Sequence, residues 1–239
     1  VASGAGCSVA KHGNRAISSS CGSADLLEGL GVNVNAEKET VEKCINEIGI
    51  GFLFAPSLHL AMKYAMPARK MMKSRSIFNI LGPLTNPAGA KFQLLGTYDE
   101  SLIVPIANVL RNLGSEKALV VRGKDGLDEI TTTDITAVAE LKDGKVNTHI
   151  IKPENLGLSR AKKEDLKGGE IGLNLEIAMD ILKGKKGPKR DVVVANAGAA
   201  IYVTRITETL SEGIKKAQKS IDTGCALEKL EKLKKMTNG

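Results

Sequence analysis

Hydrophobic and polar positions along the chain follow two different spacings, and their alternation predicts an α/β protein. Short apolar runs of strand length occur at residues 7–10, 50–55, 92–98 and 117–122. Runs of this kind, bounded by glycine, proline or polar residues, are typical of buried strands. The segments between them place apolar residues three and four positions apart, which is the spacing of an amphipathic helix. The chain therefore alternates predicted strands with predicted helices.

Capping signals set the expected ends of the first helices. Ser23 is the predicted N-cap of a short helix that ends at Gly31, and Asn35 is the predicted N-cap of a second helix that ends at Gly49. Serine and asparagine side chains accept hydrogen bonds from the first N–H groups of a helix, and glycine adopts the left-handed conformation that ends one. The same spacing predicts further helices over residues 57–66 and 103–113 and, with interruptions, from residue 170 onward.

A hairpin is predicted where apolar and polar residues alternate on both sides of Asp143-Gly144, over residues 136–141 and 146–151. This dipeptide favours the tight turn that matches the twist of two antiparallel strands. Strands that alternate with helices elsewhere predict a mostly parallel central sheet flanked by helices, with one antiparallel excursion at this hairpin. The length of 239 residues fits one large domain or a domain and a half.

Composition argues against several classes of protein. Tryptophan is absent and only 3% of the residues are aromatic, so stacking platforms for single-stranded nucleic acid would be thin. No uninterrupted apolar run approaches membrane-spanning length. The four cysteines lack the CxxC spacing of metal and redox motifs, and we expect reduced thiols in a cytoplasm.

The formal net charge of +7 has two interpretations. A positive surface attracts polyanions, either a pyrophosphorylated sugar or nucleic acid. Much of the excess, however, lies in a loop-like stretch and two helical patterns, at residues 183–189, 215–219 and 229–235. Loops and outer helix faces are ordinary places for solvated lysines, so we interpret most of this charge as a solubilising surface.

The first candidate for function is a run of donors that follows the strand predicted over residues 7–10, namely Lys11-His12-Gly13-Asn14-Arg15. Open α/β sheets bind ligands at the carboxyl ends of their strands. The lysine and arginine of this run supply positive charge, and the backbone N–H groups of residues 13–19 can form an anion-binding concavity. Hydroxyl groups add further donors at Ser18, at Ser19 and at Ser23, where a helix N-terminus favours anions. The pattern predicts an anion grip rather than an idle basic turn.

Two further segments carry candidate chemistry. Residues 79–87 form a stretch of glycine, proline and asparagine between apolar runs, which predicts a stiff loop. Asp128 and Glu129 are adjacent carboxylates in a polar loop soon after the strand predicted over residues 117–122. Magnesium prefers a few carboxylates together with substrate phosphate oxygens over a cage made by protein alone. Because a lone pair of adjacent carboxylates is usually solvated surface, its interpretation as a metal site depends on the other motifs.

Taken together, the donor run, the 79–87 segment and Gly126-Leu127-Asp128-Glu129 resemble the motifs of the anthranilate phosphoribosyltransferases of tryptophan biosynthesis. All three occur in the family's order, and the resemblance extends to about Ala200. It implies transfer of a phosphoribosyl group from 5-phosphoribosyl 1-diphosphate (PRPP) to the amine of anthranilate, with release of diphosphate. It also implies Mg²⁺ as the cofactor and an α/β domain joined to a smaller helical domain.

The resemblance assigns a role to each candidate residue. For PRPP it implies Lys11, His12, Gly13, Asn14, Arg15, Ala16, Ile17, Ser18, Ser19 and Ser23. For anthranilate it implies Arg75 and Asn14, with His12 and His59 lining the substrate channel. For the metal it implies Asp128 and Glu129. No catalytic residue is expected beyond these binding residues.

The chemistry that these residues permit agrees with the resemblance. A planar guanidinium such as that of Arg75 can bind the anthranilate carboxylate through two parallel hydrogen bonds. The lone pair of an arylamine is free at neutral pH, so the reaction requires no strong general base. Catalysis would depend on holding the donor and on stabilising charge as diphosphate leaves.

The family's glycine-rich phosphate loop and N-terminal helical domain have no counterpart in the sequence. We therefore expect residues 1–239 to be a fragment, the α/β catalytic domain of a protein whose helical domain and glycine loop lie upstream of residue 1. Such a fragment alone is expected to be weakly active or inactive. The resemblance also implies a homodimer in the cytoplasm that binds small-molecule substrates, with neither membrane nor nucleic acid as a partner.

Two alternatives stay open at this point. A non-enzymatic nucleic-acid-binding relative of the same fold would suit the positive charge, but such a module has no need of Asn14, Arg75 and the carboxylate pair. A relative of the pyrimidine nucleoside phosphorylases would release ribose 1-phosphate. Its glycine-rich motifs differ from the donor run at residues 11–15, and no pyrimidine-reading segment is found.

Overall fold

The computed structural model describes residues 1–16, 21–58 and 78–239 of the chain. Contacts within the chain define two compact units, both discontinuous in sequence. The sheet unit comprises Val1–Cys7, Ala90–Gly168 and Ile177–Glu228. The strand-pair unit comprises Ser8–Gly89, Gly169–Glu176 and Lys229–Gly239. Because each unit gathers three stretches of sequence, neither could have been delimited from composition alone.

The strand-pair unit is built on two parallel strands. Strand β1 (Val9–Gly13) pairs with β2 (Ile50–Phe54), in a register that sets Gly13 opposite Phe54. Among the described residues, the α-helices that lie wholly within this unit are α1 (Ser23–Gly29), α2 (Lys38–Lys43), α3 (Ala55–Leu58) and α4 (Phe78–Leu84). A π-helical turn over Cys44–Ile48 extends α2. Apolar side chains of α1, β2 and the intervening loop form a small core, which consists of Ala24, Val34, Phe52 and Phe54 with Leu27 packed against them.

The sheet unit contains a four-stranded sheet of order β3-β4-β5-β6. Strands β3 (Phe92–Gly96) and β4 (Lys117–Gly123) are parallel, while β5 (Thr136–Lys142) and β6 (Lys145–Ile151) add two antiparallel ladders. The remaining helices are α5 (Ile103–Asn112), α6 (Ile171–Leu182), α7 (Pro188–Val203), α8 (Leu210–Asp222) and α9 (Cys225–Thr237), and the division between the units falls within α6 and α9.

Strand β4 is the centre of the core in the sheet unit. Its residues from Lys117 to Val121 are all buried, because α5 packs on β4 and β5 and α7 packs on β3 and β4. A strand covered in this way reads as a continuous apolar run, whereas β6, at the edge of the sheet, is mostly exposed. The mixed α/β class predicted from the sequence is confirmed. Among the described strands, the two antiparallel ladders pair more residues than the two parallel ladders.

A buried charge lies at the amino end of β4. Lys117 is 3% exposed, and its ammonium donates to the Tyr202 carbonyl at 3.0 Å while lying 3.2 Å from the centroid of the Tyr202 ring. Burial lowers the pKa of Lys117. The Tyr202 hydroxyl donates to Glu140 at 2.7 Å, and burial together with this carboxylate raises the pKa of Tyr202. These contacts join α7 to the sheet at the amino end of β4.

Several predicted elements are confirmed. Strands β2, β3 and β4 and helix α5 lie where the apolar spacing placed them, within two residues at each end. The hairpin turns at Asp143 and Gly144, whose φ angles of 51° and 73° are the two positive values that a tight primed turn requires. All four cysteines are free. None of the described helices is both long and apolar enough to cross a membrane.

Other details of the prediction are wrong. Strand β1 begins two residues later than expected and includes Lys11, His12 and Gly13, which were expected in the loop after it. The N-caps are Gly22 and Glu37 rather than Ser23 and Asn35. The capping oxygen at α1 comes instead from Asp25, which sits three residues inside and accepts from the Gly22 N–H at 2.9 Å.

The segment predicted as a stiff loop over residues 79–87 is also different in the structure. Residues 79–84 form most of α4, and the chain turns only after Leu84. Ile80, Leu81 and Leu84 are spaced three and four residues apart and are all half-buried. Burial of this apolar face outweighs the turn preference of the glycine and proline between them. The helix predicted over residues 57–66 is described only as far as Leu58, in α3.

Candidate active site

The donor run lies at the carboxyl end of β1. Its glycine is required by close approach, because a Cβ at Gly13 would lie 2.4 Å from the Ser23 hydroxyl and 2.8 Å from the Phe52 ring. Lys11 and Asn14 are exposed, and His12 is half-buried. The end of a parallel strand therefore presents an ammonium and an amide to solvent from a backbone that is held against α1 and β2.

The chain from residue 14 to residue 22 leaves β1 and returns to the start of α1, and its two ends are joined. The Asn14 carbonyl accepts from the Ala24 N–H at 3.2 Å and from the Ser23 hydroxyl at 3.4 Å. One oxygen of Asp25 accepts from both the Ala16 and the Gly22 N–H groups, each at 2.9 Å. These two backbone bonds lower the pKa of Asp25. The carboxylate of Asp25 thus fixes both limbs of this connection.

Arg15 is engaged by carboxylates of its own unit. Both of its terminal nitrogens donate to Glu28, with Nη2 at 2.7 Å from Oε1, and Nη1 also lies 3.4 Å from Asp25. Its guanidinium carbon is 5.5 Å from the centroid of the Phe54 ring. The arginine that was expected to contribute charge to an anion grip is therefore paired with acidic side chains in the described structure. A phosphate would compete with these carboxylates for the positive charge of the guanidinium.

Two contacts join the donor run to the second motif. His12 donates from Nδ1 to the Gly82 carbonyl of α4 at 3.1 Å. The Asn86 amide donates to the Ala10 carbonyl of β1 at 3.1 Å, and its oxygen accepts from the Ala88 N–H at 3.0 Å. These two motifs are separate segments in the sequence and were predicted to belong to one site. In the structure they lie side by side.

The carboxylate pair lies in the sheet unit, on the connection between β4 and β5, which we call the acidic loop (residues 124–135). Asp128 and Glu129 are both exposed. The loop passes directly over the end of β3, where a Cβ added to Gly96 would lie 1.5 Å from the Asp128 carbonyl oxygen. Only glycine permits so close an approach of two backbones. The pair is thus presented at the carboxyl edge of the parallel strands.

The donor set fits a magnesium ion that is shared with a substrate. The described residues contain no group of three or more histidine, cysteine, aspartate or glutamate side chains that could hold a metal by themselves. Two adjacent exposed carboxylates are what Mg²⁺ uses when waters and phosphate oxygens complete its octahedron. Two other acids of this region have known partners: Glu100 pairs with Lys124 at 2.5 Å, and Asp125 is bonded within the loop.

Sequence reasoning missed two polar residues that shape the acidic loop. Asp125 accepts hydrogen bonds from within the loop, and Asn196, on α7, bonds to the backbone of Ile130. An aspartate before glycine reads as an ordinary turn residue, so the first carries no separate signal. Asn196 could have been noticed as an amide in the apolar part of α7 that follows Asp191, because amides in such surroundings usually find partners.

The structure covers part of the predicted set. Lys11, His12, Gly13, Asn14, Arg15, Ala16 and Ser23 belong to the strand-pair unit, and Asp128 and Glu129 belong to the sheet unit. Ile17, Ser18, Ser19, His59 and Arg75 lie outside the described residues.

Comparison with known proteins identifies the class to which this chain belongs. Residues 1–227 match the family model described as the glycosyl transferase family, a/b domain. The chain is 53% identical over 238 residues to anthranilate phosphoribosyltransferase of Geotalea uraniireducens (strain Rf4), covering 100% of this chain and 68% of that protein. It is 54% identical over 233 residues to the enzyme of the same name from Thermoanaerobacter sp. (strain X514), covering 98% and 69%.

Solved structures agree with the sequence relatives. The anthranilate phosphoribosyltransferase of Thermus thermophilus superimposes with a TM-score of 0.95 at 42% identity, over 100% of this chain and 71% of that one. The Saccharomyces cerevisiae enzyme in complex with PRPP and Mg gives 0.88 at 27% identity, over 99% and 68%. The chain therefore belongs to the anthranilate phosphoribosyltransferases.

Proposed function

We propose that this chain transfers the phosphoribosyl group of PRPP to the amine of anthranilate. Residues 11–19 and Ser23 would bind PRPP, and Asp128 and Glu129 would bind the metal. The observation that carries the proposal is the junction of two motifs in the strand-pair unit. His12 of the donor run bonds to Gly82 of the second motif at 3.1 Å, at the carboxyl end of a parallel strand. Family membership supplies the reaction, and this geometry supports the assignment of residues.

The PRPP-binding residues would act mainly through positive charge and backbone N–H groups. Lys11 and Asn14 are both exposed, and the backbone around them is held by β1 and by the hydrogen bond from the Ala16 N–H to Asp25. A grip that is rigid before the substrate arrives stabilises developing charge without reorganising during the reaction. We propose that Lys11 contacts the diphosphate of PRPP and that Ser23 contributes a hydroxyl. Arg15 would contribute once a phosphate competes with Glu28.

The metal pair is proposed from its chemistry and position. A yeast relative has been solved with PRPP and Mg, and Asp128 and Glu129 are the exposed adjacent carboxylates of the acidic loop. When bound, Mg²⁺ would neutralise charge on the diphosphate leaving group. The contribution of the chain itself is to hold two carboxylates on a fixed backbone at the edge of the sheet.

The acceptor side follows from the chemistry of anthranilate. The amine lone pair forms the new bond to C1′ as the bond from C1′ to the diphosphate oxygen breaks, and the amine then loses a proton to solvent. No histidine or carboxylate is required as a strong base, since the arylamine is neutral at pH 7. Arg75 would bind the carboxylate, with Asn14, His12 and His59 completing the acceptor site.

Turnover tests the proposal directly. The protein at its natural length, supplied with anthranilate, PRPP and Mg²⁺, should convert anthranilate to N-(5-phosphoribosyl)anthranilate. The decrease in anthranilate fluorescence measures the rate. Omission of any one component should stop the reaction. A parallel titration with a fluorescent oligonucleotide should show no binding beyond the salt-sensitive background that a net charge of +7 produces. Tight oligonucleotide binding without turnover would favour the nucleic-acid-binding alternative instead.

Arg75 provides a prediction on substrate discrimination. Arg75→Ala should raise the KM for anthranilate roughly ten- to hundredfold and leave the KM for PRPP within about threefold, since hydrogen bonds between charged groups contribute about 1.5–3 kcal/mol. Steady-state kinetics with each substrate varied in turn measures both constants. Arg111→Ala, an exposed arginine on α5, is the control and should change neither. Equal effects on the two substrates would contradict the acceptor assignment.

Three further features are proposed on the resemblance alone. Residues 1–239 would form the α/β catalytic domain, the protein would be a homodimer, and it would act in the cytoplasm. Light scattering coupled to gel filtration of the natural-length protein would decide the oligomeric state, because a monomeric mass at micromolar concentration would exclude the dimer.

A further inference from the structure

We propose that Asp125 is a positioning residue for Asp128 and Glu129, and that it acts through the hydroxyls of Thr131 and Thr133 with support from Asn196. The inference rests on the proposed role of the carboxylate pair as metal ligands. It concerns residues that the reaction itself does not need to contact. What they do is fix the backbone on both sides of the pair.

The two ends of the acidic loop are closed by the sheet. Gly123, the last residue of β4, is paired with Thr136, the first residue of β5. Immediately inside them, the Lys124 N–H donates to the Ile135 carbonyl at 2.9 Å. The loop therefore leaves and re-enters the sheet at a single rung of an antiparallel ladder. Closure at this rung alone would leave the middle of the loop mobile, so the middle needs contacts of its own.

Asp125 joins the two limbs of the loop. One of its oxygens accepts from the Leu127 N–H at 3.0 Å, on the outgoing limb. Its other oxygen accepts from the Thr131 hydroxyl at 2.5 Å and from the Thr133 hydroxyl, both on the returning limb. The largest single influence on its pKa is burial, which opposes ionisation, but the threonine hydroxyls, the Leu127 N–H and Lys163 together hold that pKa below its usual value. Asp125 is thus an ionised cross-brace at neutral pH.

The returning limb has a second anchor at Ile130. The side chain of Ile130 is fully buried, and both polar groups of its backbone bond to the amide of Asn196. The Ile130 N–H donates to the Asn196 oxygen at 3.0 Å, and the Ile130 carbonyl accepts from the Asn196 nitrogen at 2.8 Å. The same amide nitrogen also donates to the Val192 carbonyl one turn earlier in α7, at 3.0 Å, which holds the side chain in place.

These anchors lie immediately on either side of the carboxylate pair. Leu127 is fixed by Asp125 and by the bond from the Gly123 N–H to its carbonyl at 2.8 Å, and Ile130 is fixed by Asn196. Asp128 and Glu129 are the two residues between these points. Ordering a backbone residue costs about 1–2 kcal/mol, so a loop ordered in advance spares that cost when the metal binds. The cross-brace should therefore act on metal affinity more than on the chemical step.

Metal binding without turnover is the primary measurement. Mn²⁺ replaces Mg²⁺ as a paramagnetic probe, and its binding to the natural-length protein in the presence of inorganic pyrophosphate is followed by electron paramagnetic resonance. Thr133→Val and Asp125→Ala should each weaken Mn²⁺ binding on the order of tenfold, since partners that orient metal ligands typically contribute ten- to hundredfold to affinity. Saturating metal should restore kcat to within about threefold in Thr133→Val.

Matched variants separate positioning from general damage. Thr133→Ser keeps the hydroxyl and should bind Mn²⁺ like the unmodified protein. Asp143→Asn removes a carboxylate from the hairpin turn between β5 and β6, at the other end of these strands from the acidic loop. Asparagine is well tolerated there, where φ is 51°. This substitution should also leave Mn²⁺ affinity unchanged. If Asp125→Ala does not fold, the comparison of Thr133→Val with Thr133→Ser carries the test by itself.

The outcomes distinguish this inference from the proposed function. If Asp128→Asn weakens Mn²⁺ binding while Thr133→Val and Asp125→Ala leave it unchanged, the positioning role is wrong and the metal pair stands. If Asp128→Asn itself has no effect on Mn²⁺ binding, the metal pair is misassigned and the positioning role falls with it. Loss of thermal stability in Thr133→Val with unchanged Mn²⁺ affinity would also overturn the inference, because it would make the brace purely structural.

Discussion

Replacing Asp128 by asparagine and Glu129 by glutamine together should reduce turnover by on the order of a hundred- to a thousandfold, which is the loss expected when a preorganised electrostatic contact to a leaving group is removed. Both side chains are exposed, and neither substitution changes volume appreciably. The fold should therefore be preserved, with an unchanged circular dichroism spectrum and a midpoint of thermal unfolding close to that of the unmodified protein. The measurement is the initial rate as a function of Mg²⁺ concentration at saturating PRPP.

A charge-matched control uses the other end of the sheet. Glu116→Gln with Asp143→Asn removes the same two negative charges from exposed positions near the amino end of β4 and at the hairpin turn. This variant should keep the normal rate and the normal Mg²⁺ dependence. If the Asp128 and Glu129 variant retained full activity at low Mg²⁺, the metal pair would have to lie elsewhere in the chain.

The second large effect is expected at Gly96. Gly96→Ala places a Cβ 1.5 Å from the Asp128 carbonyl oxygen, a separation at which one of the two backbones must move. We expect a loss of about 1–3 kcal/mol in the free energy of unfolding, as for other overpacked sites. Displacement of the acidic loop by about 1 Å should lower turnover on the order of a hundredfold. Chemical denaturation measures the first quantity, and kinetics at saturating substrates measures the second.

The control for Gly96 is a glycine with space around it. A Cβ added at Gly172, on α6, meets no atom within 4 Å, and its backbone is compatible with alanine. Gly172→Ala should leave turnover unchanged and raise helix stability by up to about 1 kcal/mol. Activity and Mn²⁺ affinity in Gly96→Ala equal to those of Gly172→Ala would show that the acidic loop adapts to the added methyl group without consequence.

Local signals in the sequence were sufficient for much of the fold. The Asp143-Gly144 turn could be predicted because its two positive φ angles suit these residue types, and β4 because a strand buried on both faces is apolar throughout. The end of α4 could not be predicted, since glycine and proline favour a turn and only the burial of Ile80, Leu81 and Leu84 decides for helix. Local preference fails where packing supplies the larger free energy.

The candidate site could likewise be predicted only in part. The donor run, Asp128 and Glu129 could be identified because charge and spacing are visible along the chain. The cross-brace could not, because it depends on partners that are distant in sequence or chemically unremarkable. Asn196 and Ile130 are 66 positions apart. The pairing of Arg15 with Glu28 was missed for a related reason, since an arginine in a phosphate-binding pattern gives no sign of the acids that will face it.

The discontinuous strand-pair unit has a consequence for the order in which the protein is made. The loop after α1 is bonded to the far end of the chain, where Thr237 accepts from the Asn33 N–H at 3.1 Å and Asn238 donates to the Gly31 carbonyl at 2.9 Å. Lys229 likewise donates to the Ile48 carbonyl at 2.5 Å. During synthesis the donor run leaves the ribosome more than two hundred residues before these partners. The strand-pair unit can therefore be completed only after α9 has been made, and until then the donor run lacks the support of these contacts.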